Sequence, residues 1–533
     1  MMSLAQKDCL NSELLDLKSI CYLTAIMCWI NLFNDVSMMS MAKAQLQRGI
    51  GLVALTATGI CSMMGASINV VPFMIHRSVP GIGPYVLPAF LFAAIPALLA
   101  AFAYANLSSA MPRAGGSYLY ASRGLNPYLG FIASFSQWFG LSIVIGVIAY
   151  IVIPFGRDVA IALDATETAN FLDRGWVRVS LALALLWTFV WTNIKGSTYY
   201  ERIVIPLMVL MFILGGIVII TGFGSTHEDF IAAWQAKGGS FVDEGQKEYP
   251  FDMWSFFGAG AVLFSSFIGF DAIAQAGGEA KNPIRNLPLA IGLAISIVGG
   301  YYLLFSAAMY HTVPWQLVSQ EAQLSDISAP GLLSYILSPA LGVAILIGAT
   351  IALVNDLPAM LLSVSRLIFA WSEDGIFPEK LARIHPKHHT PDLALIISGG
   401  MASVGIIGSH YAGDFFLGID IMVSSMMVNF LLICISLTTI HWVNPKLAEG
   451  ISLTKNRTIR ILISLLGAIS LSFFLIIHTT KDLSSDASAW YFRSTPVWLI
   501  VMCIGSLIYW INVRKLKNKG VSIKSHFSQL PPN

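Results

Sequence analysis

One apolar run of this chain is broken by a carboxylate and glycines before it reaches a charged turn. The segment 267–288 reads FIGFDAIAQAGGEAKNPIRNLP, in which Asp271 is followed by Gly277 and Gly278. In hydrocarbon a freed backbone amide has no water to bond, so an interrupted helix persists only where it is buried in protein or lines an aqueous cavity. The sequence therefore predicts a membrane helix that is interrupted at a site next to Asp271.

Composition places most of the chain in a bilayer. Hydrophobic residues make up 56% of the sequence and charged residues 11%, whereas about a quarter of the residues of a soluble domain are charged. The net charge of +2 gives no indication of a nucleic-acid partner. The six cysteines lie in or beside apolar runs, so we expect no disulfide framework.

Twelve segments are long and apolar enough to cross the hydrocarbon core, which takes roughly 20 residues. An even number places both termini on one side, and the loops and helix ends of that side hold 21 of the 31 lysines and arginines, against eight opposite. The positive-inside rule then makes both termini cytosolic. The segments are about 51–75, 83–108, 128–155, 176–194, 203–223, 253–277, 287–311, 339–370, 392–409, 412–442, 458–478 and 495–512.

Residues 1–50 fit this pattern least well. Their apolar stretch 19–33 is short for a span. Three interpretations stay open: a helix lying on the membrane surface, a signal-like hydrophobic region, or an extension upstream of a natural start at Met41.

The first span is also interrupted. Small residues fill its middle, TGICSMMGAS from Thr58 to Ser67, and Asn69 and Pro72 follow. Close helix packing through small residues would explain the cluster alone, but an amide and a helix breaker beyond it favour local unwinding. Two interrupted spans that lie five spans apart are what two inverted repeats of five helices would produce.

Four segments resemble amino acid-polyamine-organocation permeases. GFDAIAQAGGEAKNPIRNLPLAI, from Gly269, is similar to their sixth-helix signature, and GICSMMGASI (59–68) to their first-helix glycine motif. AYANLSSAMPRAGGSYLYASRGLNPYLGF (103–131) looks like the loop after helix 2, and SVSRLIFAWSEDGIFPEKLARIHPKHHTPDLA (363–394) like the loop between helices 8 and 9. The resemblance covers the chain from about Gly51 to at least the tenth span.

This resemblance implies an all-α integral membrane protein of about twelve helices with the leucine-transporter fold, in which helices 1 and 6 are discontinuous. The implied divisions are an N-terminal cytosolic or interfacial segment 1–50, a first repeat 51–223, an extracytoplasmic loop 224–252, a second repeat 253–443, two appended spans 444–512, and a cytosolic basic tail 513–533.

The resemblance also implies a substrate site at the two breaks, where half-helix ends expose donors and acceptors. Ser67 departs from the family pattern, because the usual last residue of the first motif is glycine; this leaves the substrate's size and class open. Phe267, beside the second break, is the candidate lid. The implied contacts are Gly65, Ala66 and Ser67 for a substrate carboxylate and Ser265, Phe267 and Ile268 for its ammonium, with Gly269 as a further substrate-binding residue.

Two carboxylates lie within apolar spans, where an ionised group costs roughly 2.5–3.5 kcal/mol. Asp271 either carries a coupling proton or forms structural hydrogen bonds. Asp356 either holds a proton or sodium, or caps backbone disturbed by Pro358. Some proton-coupled relatives use a lysine in helix 5, but the segment 203–221 has no ionisable side chain. We rank Asp271 first, because it lies beside the substrate break.

An inner gate is predicted where charged residues gather at the cytosolic helix ends. Anchoring by the positive-inside rule would explain the basic members, but not Glu279. The predicted gate residues are Glu279, Lys281, Arg285, Arg113 and Arg366.

The motifs of ATP-driven pumps and metalloproteases, GxxxxGK[ST] and HExxH, are absent from the sequence. The histidines of IHPKHHTP (384–391) lack metal-site spacing, so we expect no metal and no cofactor. Together with the interrupted spans, the resemblance implies a secondary transporter, not an enzyme, that moves amino acids or related amines across the plasma (inner) membrane by proton symport or exchange, with sodium as the second choice of ion. A membrane nutrient sensor or scaffold with the permease fold is the alternative. The particular substrate and the oligomeric state stay open.

Overall fold

A computed structural model of the protein describes residues 46–241, 250–412, 416–485 and 490–531. Apart from two isolated β-bridges, the described residues form helices and their connections. The first half contains α1 (Leu52–Met63), α2 (Ala66–Asn69), α3 (Val71–Ser78), α4 (Val86–Ala110), α5 (Gly116–Gly124), α6 (Pro127–Ala162), α7 (Thr166–Leu172), α8 (Gly175–Ile194), α9 (Ser197–Gly224) and α10 (His227–Ala236).

The second half is helical as well. It contains α11 (Met253–Leu263), α12 (Ala272–Gln275), α13 (Pro283–Thr312), α14 (Trp315–Leu324), α15 (Ala329–Leu333), α16 (Pro339–Glu373), α17 (Asp392–Ala412), α18 (Phe416–Val443), α19 (Pro445–Glu449), α20 (Arg457–Ser484), α21 (Ser494–Asn518) and α22 (Ile523–His526). Short 3-10 turns cover Pro80–Tyr85, Phe264–Phe267, Glu379–Ala382 and Trp490–Phe492.

Eleven helical stretches of the described chain are long and apolar enough to cross a membrane. They coincide in order with the second to twelfth predicted spans, and the first predicted span is divided among α1, α2 and α3. The predicted all-α membrane fold is thus confirmed, whereas the arrangement of two inverted five-helix repeats stays a prediction. The predicted surface helix, signal-like region or extension falls on residues 1–45, and part of the predicted outer loop on 242–249; both lie outside the described residues.

Helix α6 runs through the middle of the bundle and packs against α16, α17 and α18. Small residues allow the closest approach, as expected where dispersion and not the hydrophobic effect holds membrane helices together. A side chain on Gly146 would collide with the carbonyl of Ala402, and one on Gly405 with the carbonyl of Ile143. The α6–α17 crossing therefore depends on these glycines.

The residues before α1 are joined to the turn after α12. The N–H of Ile50 donates to the carbonyl of Glu279 at 2.9 Å, and the N–H of Lys281 donates to the carbonyl of Ile50 at 2.9 Å. This pairing connects the start of the first interrupted helix to the end of the second.

The C-terminal tail packs against α5 and the end of α16. Buried Arg123 forms a 2.5 Å ion pair with buried Asp374. The same guanidinium donates from Nε to the carbonyl of Gln529 at 3.1 Å and lies 5.3 Å from the ring of Phe527. The far end of the predicted basic tail therefore packs against Arg123, one member of this buried ion pair.

Candidate functional site

The first break separates α1 from α3. Met64 leaves the helical conformation, α2 is a single turn, and Pro72 opens α3 where no N–H is needed. The carbonyls freed at the break find donors: Tyr302 donates its hydroxyl to the carbonyl of Met63, and Asn69 Nδ2 donates to the carbonyl of Gly65 at 3.3 Å. The unwinding predicted from Asn69 and Pro72 is thus present, and two side chains satisfy its backbone.

The second break separates α11 from α12. After the 3-10 turn Phe264–Phe267, Ile268 is extended and Gly269 has φ +138°. That conformation is rarely open to residues with a side chain. A Cβ on Gly269 would also collide with the carbonyl of Ser62, at the end of α1. The two breaks therefore touch, as the prediction of a shared site requires.

Asp356 on α16 reaches the first break. It is buried, and a Cβ on Gly65 would collide with its carboxylate. Its neighbour Asn355 joins α16 to α1 and α9, because its Nδ2 donates to Cys61 Sγ at 3.0 Å and to the carbonyl of Val204 at 3.3 Å. Glycine at position 65 therefore lets a carboxylate lie directly against the unwound backbone.

A cavity, called here the junction cavity, lies where the two breaks meet. Among the described residues its polar lining consists of Ser62, Ser265 and Asp356. The hydroxyls of both serines are buried and have no hydrogen-bond partner among the described residues. Such orphaned buried hydroxyls are rare unless a water or ligand satisfies them.

The rest of the junction cavity is apolar. Four lining residues lie on α6, and the others come from α3, the second break, α16 and α18. Within the described chain no lysine, arginine or histidine lines it. The apolar residues are Val71, Val144, Val147, Ile148, Ile151, Ile268, Met360, Ile419 and Met422.

Asp271 is fully buried beside the second break but does not line the junction cavity. One carboxylate oxygen accepts from the N–H of Gly269 at 3.2 Å, and the other accepts from Nε2 of Gln137 on α6. Both carboxylate oxygens are therefore hydrogen-bonded inside the bundle. The contacts of Asp271 thus tie the second break to α6.

Gln137 belongs to a buried network that sequence reasoning missed. Its Oε1 accepts from Asn429 Nδ2 at 3.2 Å and from Gln275 Nε2 at 3.4 Å. Asn429 also donates to the hydroxyl of Tyr104 at 2.8 Å, and that hydroxyl lies 2.6 Å from Ser117 Oγ. Amides placed in apolar spans, such as Gln137 and Asn429, were the available signal.

Phe267 lies inside the helix packing and not over the cavity. Its ring lies 5.2 Å from that of Phe90 and 6.0 Å from that of Tyr302, and its side chain is buried. It is absent from the lining of the junction cavity. In this conformation the candidate lid therefore acts as a packing residue that holds Tyr302 beside the first break.

Of the five predicted gate residues, Glu279 and Arg366 meet. Their 2.5 Å ion pair is buried. Lys281 and Arg285 are exposed, and Arg113 has Arg48 and Glu373 as its charged neighbours. The structure thus brings two of the five predicted gate residues together in a buried ion pair, and the other three do not take part in that pair.

Of the predicted binding residues, some line the junction cavity and others shape the breaks beside it. Ser265 and Ile268 line the junction cavity, and Gly65 and Gly269 shape the breaks beside it. The side chains of Ala66 and Ser67 lie outside the described part of the structure.

A second cavity lies between α1–α2, α9, α13 and α16. Met64, Asn69, Tyr301 and Ala349 are among its lining residues, and none of its lining residues in the described chain is charged. It shares no lining residue with the junction cavity.

Comparisons with known proteins identify the family to which the chain is similar. A family model described as amino acid permease matches residues 50–507. The chain is 26% identical to cationic amino acid transporter 4 of Mus musculus over 68% of this chain and 55% of that protein. It is 26% identical to a branched-chain amino acid permease of Bacillus subtilis, over 70% and 77%.

A third relative is similar over nearly its whole length. The methylthioribose transporter of Bacillus subtilis is 23% identical over 90% of this chain and 96% of that protein. By contrast, the alignments with cationic amino acid transporter 4 of mouse and of Homo sapiens span about half of those proteins, 55% and 54%.

Proposed function

The chain belongs to the amino acid permease family, and on that premise we propose that it is a secondary active transporter of amino acids or related amines that works by alternating access. Its named relatives are transporters and permeases, not enzymes. The observation that carries the proposal is the junction cavity, which is lined by residues of both breaks together with Asp356. Transporters of this kind bind substrate at broken helices near the membrane midplane.

Residues from several helices line the junction cavity. This arrangement suits a site that opens to either side of the membrane. α1 and the second break contribute Ser62 and Ser265, while α6, α16 and α18 supply most of the remaining lining. A relative movement of these elements would change which end of the cavity is open.

The buried pair of Glu279 and Arg366 supports a gate at the cytosolic end. The pair joins the turn after α12 to α16, and Glu279 is also joined through its carbonyl to Ile50. Separating a buried ion pair exposes two uncompensated charges unless water enters with the movement. Opening of this end therefore requires hydration, as expected of a gate.

Proton symport and substrate exchange would each provide enough free energy to accumulate a substrate across the membrane. A proton that enters down a potential of roughly 100 mV releases about 2.3 kcal/mol. Exchange needs no ion, because a gradient of one substrate drives the entry of another. We propose a proton as the first coupling ion to test and sodium as the second.

The proposed location is the plasma or inner membrane, with both termini cytosolic. The excess of basic residues on one side supports this orientation. Ile50 pairs with Glu279, whose carboxylate binds Arg366 on α16. His526 of the tail lies 3.2 Å from the carbonyl of Asp374 at the end of α16. An impermeant thiol reagent applied to intact cells should label Asp243→Cys and leave Lys524→Cys unmodified; the reverse pattern would overturn the orientation.

The function itself is tested with the full chain in liposomes. Uptake and counterflow of a labelled panel of amino acids and amines are measured with imposed proton or sodium gradients. We expect saturable movement of at least one panel member. If a folded preparation binds panel members but moves none of them, the chain is a sensor with the permease fold.

A further inference from the structure

We propose that the substrate presents a single ammonium group to Asp356, so that an aliphatic monoamine binds the junction cavity more tightly than the α-amino acid with the same side chain. This inference rests on the proposed function, because it names the substrate class of the same site. It is carried by the charge of the cavity lining, by the two orphaned hydroxyls and by the shape of the first break.

The lining of the junction cavity carries one sign of charge. Asp356 is the one acidic lining residue, and no basic residue within the described chain lines the cavity to pair with a substrate carboxylate. The side chains of this cavity therefore offer a charged partner only to a cation. A substrate carboxylate would depend on the backbone N–H groups that the first break frees.

The first break adds to this preference. The Asp356 carboxylate lies directly against Gly65, the backbone position that the sequence resemblance assigns to a substrate carboxylate. Two carboxylates at one site repel each other and cannot both be ionised at little cost. An α-amino acid would bring its carboxylate into the field of Asp356, whereas the corresponding amine would not.

The number of acceptors fits one ammonium group. An ammonium has three N–H donors, and the polar lining offers the Asp356 carboxylate and the hydroxyl oxygens of Ser62 and Ser265. Both hydroxyls lack a partner among the described residues, so a bound ammonium would satisfy two buried groups.

The apolar wall selects the rest of the substrate. In the described conformation the cavity has room for about one water molecule, so a substrate binds only when its walls move apart. Val144, Val147, Ile148 and Ile151 on α6 then offer contact to a branched aliphatic chain and provide no second carboxylate. A diamine or a basic amino acid would leave its second cation unpaired in this wall, and an unpaired buried charge is strongly unfavourable. The expected substrate is therefore a monoamine with an aliphatic body.

The test compares three ligands of matched size: 3-methylbutylamine, leucine, which is the same molecule with a carboxylate, and 1,5-diaminopentane. Affinity is measured on the purified full chain from the ligand-induced rise in melting temperature, and transport from counterflow in liposomes. We expect the affinity for 3-methylbutylamine to be at least about tenfold higher than that for leucine or for 1,5-diaminopentane.

Substitutions test which residues produce the preference for 3-methylbutylamine over leucine. Asp356→Asn should weaken binding of 3-methylbutylamine by about tenfold or more and not weaken that of leucine, so that the preference shrinks or reverses. Asp356→Glu should retain it. Ser265→Ala should weaken amine binding several-fold, and Ser266→Ala, its neighbour outside the cavity lining, is the matched control. Asp271→Asn should leave the order of the three ligands unchanged.

Each outcome decides the matter. Tighter binding of leucine than of the amine by the wild-type chain would overturn the inference and leave the proposed transport function standing. An unchanged ligand order in folded Asp356→Asn would also overturn it. If Asp356→Asn fails to fold, the wild-type ranking and Asp356→Glu still decide. Absence of binding and transport for a full panel of amino acids and amines would instead refute the proposed function.

Discussion

A buried carboxylate lies beside each of the two helix breaks, and the two carboxylates have different surroundings. At the first break Asp356 lies against Gly65 and lines the junction cavity. At the second break Asp271 lies outside the lining, and Gln137 and the N–H of Gly269 both donate to it. A buried acid beside a break therefore need not face the cavity between the breaks.

The largest effect is expected from the backbone of the second break. Gly269→Ala places a side chain at φ +138° and against the carbonyl of Ser62. The strained conformation alone costs about 1–3 kcal/mol, and the collision would push the two breaks apart. We expect a marked loss of folded protein, a lower melting temperature and no transport.

Gly292→Ala is the matched control for this variant. It also adds a methyl group to a glycine of a membrane helix, but nothing lies within 4 Å of the added atom. Equal melting temperatures for Gly269→Ala and Gly292→Ala would show that the second break does not need its glycine.

The corresponding change at the first break should act mainly on binding. In Gly65→Ala the new methyl group collides with the Asp356 carboxylate, which must move. We expect affinity for substrate to fall about tenfold, equivalent to about 1.4 kcal/mol, with a smaller fall in melting temperature than for Gly269→Ala. Unchanged affinity would separate Asp356 from the substrate site.

Asp271→Asn tests the structural role of the second carboxylate. The amide cannot accept from Gln137 and Gly269 as the carboxylate does, so the free energy of unfolding should fall by about 1–3 kcal/mol. Uptake and exchange should fall together. A double-mutant cycle with Gln137→Ala should give a clear coupling energy.

The opposite result would restore the ranking made from sequence. If Asp271→Asn abolishes the pH dependence of uptake while exchange continues, Asp271 carries the coupling proton. Sodium-stimulated uptake that Asp356→Asn abolishes would instead assign a cation site to the first break.

The smallest expected effect concerns the backbone of the first break. Tyr302→Phe removes the hydroxyl that donates to the carbonyl of Met63. One such bond contributes about 0.5–1.5 kcal/mol, so we expect a small fall in melting temperature and a modest loss of affinity. Tyr301→Phe, next in sequence and lining the second cavity, is the control; a larger effect there would shift attention to that cavity.

Much of this arrangement could be predicted from local sequence. Glycines, a proline and apolar runs indicated both breaks, and the order of spans indicated that they meet. Ser265 and Ile268, which the resemblance assigns to the substrate, line the junction cavity; that they bind substrate stays a prediction.

The roles of the two carboxylates could not be read in the same way. Which way a side chain points near a break depends on a few backbone angles, such as those of Gly269, that no periodic pattern describes. Gln137 and Asn429 meet across 292 positions of sequence, so their contact appears only once the bundle has formed. The position of Ser62 in the cavity lining could not be predicted either, because small residues also occur at ordinary helix contacts.

The central claim is that substrate binds in the junction cavity, and site-directed protection tests it most directly. Ser265→Cys is placed in this cavity and Ala349→Cys in the second one, each in a background whose native cysteines are alanine. The rate of modification by 2-aminoethyl methanethiosulfonate is measured with and without a transported substrate. The account predicts that substrate slows modification of Ser265→Cys and leaves that of Ala349→Cys unchanged. Protection of Ala349→Cys alone, or of neither cysteine at a saturating substrate concentration, would contradict it.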